Sequence, residues 1–150
     1  MSEKSIYEMF ATDKNLEKTG VWLAFGPDGK YGRFHIARAG GANTRYAKAL
    51  EAKTRPIRKS IETGTLDNDE GEAMMLDLYV ETVILGWENV RARPTAEQQL
   101  NNEPGDLIPY SRAAAKKLMQ EVPDLMVEIR GYATNFTNFR GKQIEEDSGN

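Results

Sequence analysis

The sequence predicts an α+β fold, mostly α, with an N-terminal β-hairpin over about 20–38 followed by four to five helices packed around a central helix over about 68–90. Three observations predict it. Residues 20–38 alternate and turn as paired strands do, the stretch NDEGEAMMLDLYVETVILGWENV from Asn68 to Val90 becomes densely apolar after an acidic start, and Leu125, Ile129, Tyr132, Phe136 and Phe139 recur at spacings of 4, 3, 4 and 3. At 150 residues the chain has the length of one ordinary domain and can bury about 68–70% of its unfolded surface. Residues 1–140 are therefore read as a single globular domain and 141–150, GKQIEEDSGN, as a flexible polar tail.

In chain order, residues 2–18 read as one or two helical turns anchored by Ile6, Phe10 and Leu16, with Thr12 or Asp13 as a cap. GVWLAF, the turn residues Gly26-Pro27-Asp28-Gly29 and KYGRFHIAR then form the hairpin. A lone hairpin is marginal in water, so its apolar residues must lie on helices or on another copy. Gly40-Gly41 ends it. Asn43 caps a helix carrying Tyr46, Leu50, Ile57 and Ile61, which Pro56 should kink and Gly64 should stop.

The central segment takes Asn68 as its N-cap, with Asp69, Glu70 and Glu72 in the first turn where the helix dipole favours negative charge. Its apolar residues extend well around the cylinder, so neighbours must cover it on several sides. Residues 91–109, with Pro94, Pro104, Gly105 and Pro109, read as an irregular mobile loop holding a short helix at TAEQQL. Ser111 caps the next helix, with Tyr110 placed for a staple contact, and Pro123 opens the last one, whose apolar stripe should pack onto the central helix.

Composition excludes several chemistries. There is no cysteine and one histidine, which removes disulfides, thiolate metal sites and most imidazole-based triads. His35 has no triad partner, the acidic run from Asp67 to Glu72 fails the calcium-loop template, and Gly26, Gly29 and Gly32 match neither nucleotide-binding fingerprint. Gly40-Gly41 with Arg45 and Lys48 could face an anion, though such turns need glycine for geometry alone. The chain is read as a non-enzyme with no cofactor and no metal. No run of about 18 apolar residues and no signal-peptide core appear, so a cytosolic, membrane-free protein is expected and the sequon Asn135-Phe136-Thr137 is silent.

Charge is the one asymmetric feature. Residues 30–60 hold nine Lys or Arg against one acid, Glu51, a local +8 that leaves the remainder at −11 within the net −3. Such a split reads either as a nucleic-acid face or as complementary protein surfaces that pair with each other or with copies. An isoelectric point near 5.3 and the lack of a recognition-helix or RNA-binding signature weigh against nucleic acid.

Over FHIARAGGANTRYAKALEAKTRPIRK, LDLYVETVILGWENV, IPYSRAAAKKLMQEVPDL and the aromatic ending ATNFTNF, the chain resembles the tail assembly chaperones of long-tailed, siphovirus-like bacteriophages. The resemblance spans most of residues 6–139 and rests on overall order and local wording; residues 91–106 depart from it. It implies a non-enzymatic protein of the infected host's cytoplasm, absent from the mature virion, that binds the tape-measure protein while the major tail protein assembles around it. The family supplies no active-site residues. The partner-binding candidates are Arg45, Lys48, Arg55, Arg58 and Lys59 of the basic segment, which could also mediate self-association, and the aromatic residues Tyr132, Phe136 and Phe139. Alternatives are a structural tube or completion protein, or a nucleic-acid-binding regulator using the basic face.

Overall fold

The hairpin forms where alternation and turn residues place it. In the computed structural model, which describes residues 5–141, β1 (Val21–Ala24) pairs antiparallel with β2 (Arg33–Ile36). The connection folds through a short 3-10 turn at Pro27–Gly29, with Asp28 at φ 54°. Two short helices precede it: α1 (Ile6–Phe10), closed by a Ser5/Glu8 capping box, and α2 (Lys14–Thr19), capped by Asp13. The fold is α+β, a hairpin followed by helices, as the sequence predicts.

After the Gly40-Gly41 turn, Asn43 caps α3 (Thr44–Thr54) by accepting the Tyr46 N–H. Pro56 interrupts the helix through a 3-10 turn at Arg55–Ile57 before α4 (Arg58–Glu62), and Gly64 ends it at φ 69°. The central helix, α5 (Asn68–Thr82), is shorter than expected: its N-cap is Asp67, not Asn68, and it stops before Val83. Residues 84–88 are not helix but a third strand, β3 (Ile84–Glu88), antiparallel to β2 in a sheet of order β1-β2-β3.

Local chemistry explains the switch. Thr82, Val83 and Ile84 are three consecutive β-branched residues, stiff in a helix and at ease on a pleated surface. The Thr82 hydroxyl bonds back to the Leu78 carbonyl at 2.7 Å, and Asn43 Nδ2 donates to the Thr82 carbonyl at 3.0 Å. These bonds satisfy the last turn where it ends. The chain then offers β2 the partner that the isolated hairpin lacked, with Leu85 the extra residue in a bulge that sets Ile36 opposite Ile84 and His35 opposite Gly86. Gly86 therefore lies in a strand rather than a helix.

The region after β3 is laced down rather than irregular. Ile108 N–H donates to the Val90 carbonyl and Ala92 N–H to the Asp106 carbonyl, both at 2.8 Å, so the excursion is closed at its base. Within it α6 (Ala96–Leu100) begins at a Thr95/Gln98 capping box. At Gly105 a Cβ would run into the Ala92 carbonyl, so only glycine allows the two backbones this close. Trp87 Nε1 donates to the Ile108 carbonyl at 2.8 Å, and the Tyr110 hydroxyl donates to the Ile84 carbonyl at 2.7 Å.

Ser111 caps α7 (Arg112–Glu121), and Pro123 opens α8 (Pro123–Thr134). Phe136–Phe139 form a separate 3-10 turn, because Asn135 leaves the helical region at ψ 111° and caps that turn through Thr137. The core lies between the sheet's inner face and the helices: Phe34, Ile36, Ile84 and Trp87 meet Tyr79, Val83, Ala115, Met119, Ile129 and Ala133. The tail read at 141–150 lies, after Gly141, outside the described residues.

Candidate protein-binding site

The last two helices and α5 build a groove. α7 lays Ala115 and Met119 into the core, and α8 does the same with Ile129 and Ala133. The neighbouring stripe of α8, Pro123, Met126, Val127 and Arg130, then faces Asp69, Glu72, Ala73, Met75 and Leu76 of α5 across a hollow of about 400 Å³. A second hollow of similar size continues it toward Tyr46, Tyr79, Gly131 and Thr134, sharing Met75, Val127 and Arg130 with the first. Ile129 of the predicted stripe joins Leu76 and Tyr79 of α5 and Ala115 and Met119 of α7 in the core, and the trench opens alongside that contact.

From Pro123 to Thr134 the α8 wall runs for about three turns, on the order of 16 Å. Met75, Met119 and Met126 line it, and Val127 is 63% exposed. Methionine is unbranched and polarisable, so such walls adapt to the shape of an apolar visitor. The trench is polarised along its length. Asp69 and Glu72 stand at one end, while Arg130 stands toward the other beside the Tyr79 hydroxyl. Burial, and then the neighbouring Tyr46, raise the Tyr79 phenol above its ordinary pKa of 10.0, and Arg130 opposes that rise.

Much of the basic segment is paired within the chain. Arg33 pairs with Glu88 at 2.8 Å, Arg38 with the buried Glu17, Lys53 with Glu81 at 3.1 Å, and Arg55 and Arg58 both with Glu51 at 3.5 and 3.0 Å. Five of the nine cations are thus answered within the chain. Of the sequence candidates, Arg45 and Lys48 meet in a hollow of about 440 Å³ together with Arg112 of α7, while Lys59 lies apart on α4. Tyr132 and Phe139 stack edge-on at 6.4 Å, with Phe139 fully enclosed, and Phe136 covers Phe10 at 5.2 Å. These ring contacts fasten α1 and the C-terminal turn to the body, with Tyr132 and Phe136 partly exposed.

Sequence reasoning missed the trench residues and Arg112. Met75 lies 44 residues before Met119 in the chain, and Met119 and Met126 fall on two different helices separated by Pro123, so no single periodic stripe joins the three. Among the described residues no helix is long and apolar enough to cross a membrane, and no group of three or more metal-ligating side chains gathers.

Residues 41–150 match a family model described as YdaY prophage protein, a match that starts in the Gly40-Gly41 turn and leaves β1 and β2 outside it. None of the curated proteins and none of the solved structures compared matches the chain.

Proposed function

The chain belongs to the YdaY prophage protein family, a phage-derived family, and from that premise we propose that it is a non-enzymatic tail assembly chaperone. It works in the host cytoplasm, holds the tape-measure protein while the major tail protein assembles around it, and is left out of the finished particle. The observation that carries this reading is the methionine-lined trench between α5 and α8. An amphipathic helix of about three turns fits its length, and an exposed apolar side chain such as Val127 on a wall of this kind supports a protein-binding surface.

The trench charges set the client's direction. A client helix places basic residues near Asp69 and Glu72 and an acidic residue near Arg130. The experiment is co-expression with the tape-measure protein, then co-purification and light scattering. A soluble complex is expected from the native chain, and Val127→Glu should leave the client insoluble; a client equally soluble with and without the chain refutes the reading. Stoichiometric recovery of the chain in purified virions would favour a structural tail component instead. The internal pairing of five basic residues weighs against the nucleic-acid regulator.

A further inference from the structure

The two ends of α5 carry opposite, unanswered charge. At its C-terminal end, the hollow between α3 and α7 gathers Arg45, Lys48 and Arg112 around Glu81 and Thr82. Arg45 donates to the Glu81 carbonyl at 3.0 Å, and the Glu81 carboxylate is already taken by Lys53 at 3.1 Å. One turn along, Asp77 is likewise taken by Lys116 at 2.9 Å. Among the described residues, Arg45, Lys48 and Arg112 therefore have no carboxylate partner, and three positive charges from two helices converge on one concavity.

At the N-terminal end the sign reverses. Residues 62–72 hold Glu62, Asp67, Asp69, Glu70 and Glu72 and no Lys or Arg, and all five acids are exposed and make no salt bridge among the described residues. The 15 residues of α5 separate the two ends by about 22 Å. One rigid helix thus carries an acidic head and a cationic socket too far apart to neutralise each other across about two Debye lengths at 0.1 M salt.

We infer that the Arg45/Lys48/Arg112 socket receives the acidic head of α5 from a second copy of this chain. The contact is heterologous: each copy that fills a socket presents its own socket to the next, so association propagates head to tail into a ring or an open chain. The socket is separate from the trench, but the head shares Asp69 and Glu72 with the trench rim, so the test alters Glu62 and Glu70, which line neither hollow.

The test is a charge swap read by sedimentation velocity. At about 20 mM salt, where screening is weak, the native chain should sediment at no less than about twice its monomer mass, and about 0.5 M salt should return it to monomer. Arg45→Glu with Arg112→Glu, and separately Glu62→Lys with Glu70→Lys, should each stay monomeric at low salt, because the first gives the socket the sign of the head and the second removes nearly all of the head's net charge. Mixed together, the two variants should associate as pairs, since the unaltered head of the first then meets the unaltered socket of the second. Circular dichroism and melting curves matching the native chain show that the substitutions have not unfolded it; all four positions are exposed.

A native chain that stays monomeric at low salt overturns the inference, as does a mixture of well-folded variants that fails to associate. Assembly that persists in both variants places the interface elsewhere. Salt-sensitive binding of a DNA or RNA duplex by a monomeric native chain, lost in Arg45→Glu/Arg112→Glu, would assign the socket to nucleic acid instead.

Discussion

Removing the Arg38 side chain should destabilise the protein more than removing Glu17, although the two form one ion pair. Glu17 is 2% exposed, while the Arg38 side chain keeps 23% of its surface in water. The carboxylate also accepts the Ala42 N–H at 3.3 Å, and Asn43 ties the Arg38 carbonyl to the end of α5. Gly41 packs so closely on the carboxylate that a Cβ there would collide with it. This is the junction where α2, the β2–α3 turn and the end of α5 meet.

Breaking a buried pair costs about 3–5 kcal/mol when the remaining charge stays dry. Arg38→Ala strands Glu17 in that condition, and the upper half of that range is expected. Glu17→Ala strands a guanidinium that water already reaches, so about 2–3 kcal/mol remains after that discount, including roughly 0.8 kcal/mol for one lost buried methylene. The double variant should cost less than the sum by about 1 kcal/mol or more, because the second truncation removes the charge that the first left unpaired. Urea unfolding followed by tryptophan fluorescence measures all three. Equal single costs, or costs that add, would refute the assignment of Glu17 as a buried charge held by Arg38.

Trp87→Phe should cost about 1–3 kcal/mol by leaving the Ile108 carbonyl without its 2.8 Å donor, and hydrogen exchange at the Ala92 and Ile108 amides should speed up with it. Gly105→Ala should have the same local signature, since its Cβ must displace the Ala92 backbone, at about 1–3 kcal/mol by overpacking. Stability should fall as pH rises beyond 10, because burial raises the Tyr79 and Tyr110 phenols and the folded state therefore favours their neutral forms; that stability is intact below the ordinary value of 10.0 and lost as each raised pKa is passed. Denaturant titrations across that range should show a shallower fall in Tyr79→Phe. Val127→Glu should shift stability by no more than about 0.5 kcal/mol, as Val127 is 63% exposed, while abolishing recovery of the client.

What was legible in the sequence is what acts over a few residues. The Asn43 and Ser111 caps, Pro56, Gly64 and Pro123 all work within one turn of themselves, and each stands where its local chemistry put it. The run Thr82-Val83-Ile84-Leu85 was not decidable in this way, since a short apolar run suits a buried helix and a buried strand alike. The open edge of β2, nearly 50 residues earlier, decided it. The same holds for charge: Arg33, Arg38 and Lys53 find acids 55, 21 and 28 residues away, so a basic segment dissolved into separate ion pairs. Glu17, one acid in a six-residue helix, carried no local sign of its burial.

The trench follows from the same strand. Had residues 84–88 continued α5, the helix would have run on by about two turns, and Trp87 could not have sat between Phe34 and Tyr110, where it stacks edge-on at 5.7 and 5.1 Å. Turning into the sheet instead ends α5 at Thr82 and pins its C-terminal end through Asn43 and the bulge at Ile84. Among helices, α5 is then held mainly by α3 and α7, and its Met75 face looks across the hollow at Val127. A strand that completes the hairpin within the chain also removes the hairpin's need for another copy, so the self-association we infer rests on charge at the two ends of α5, where salt can set it.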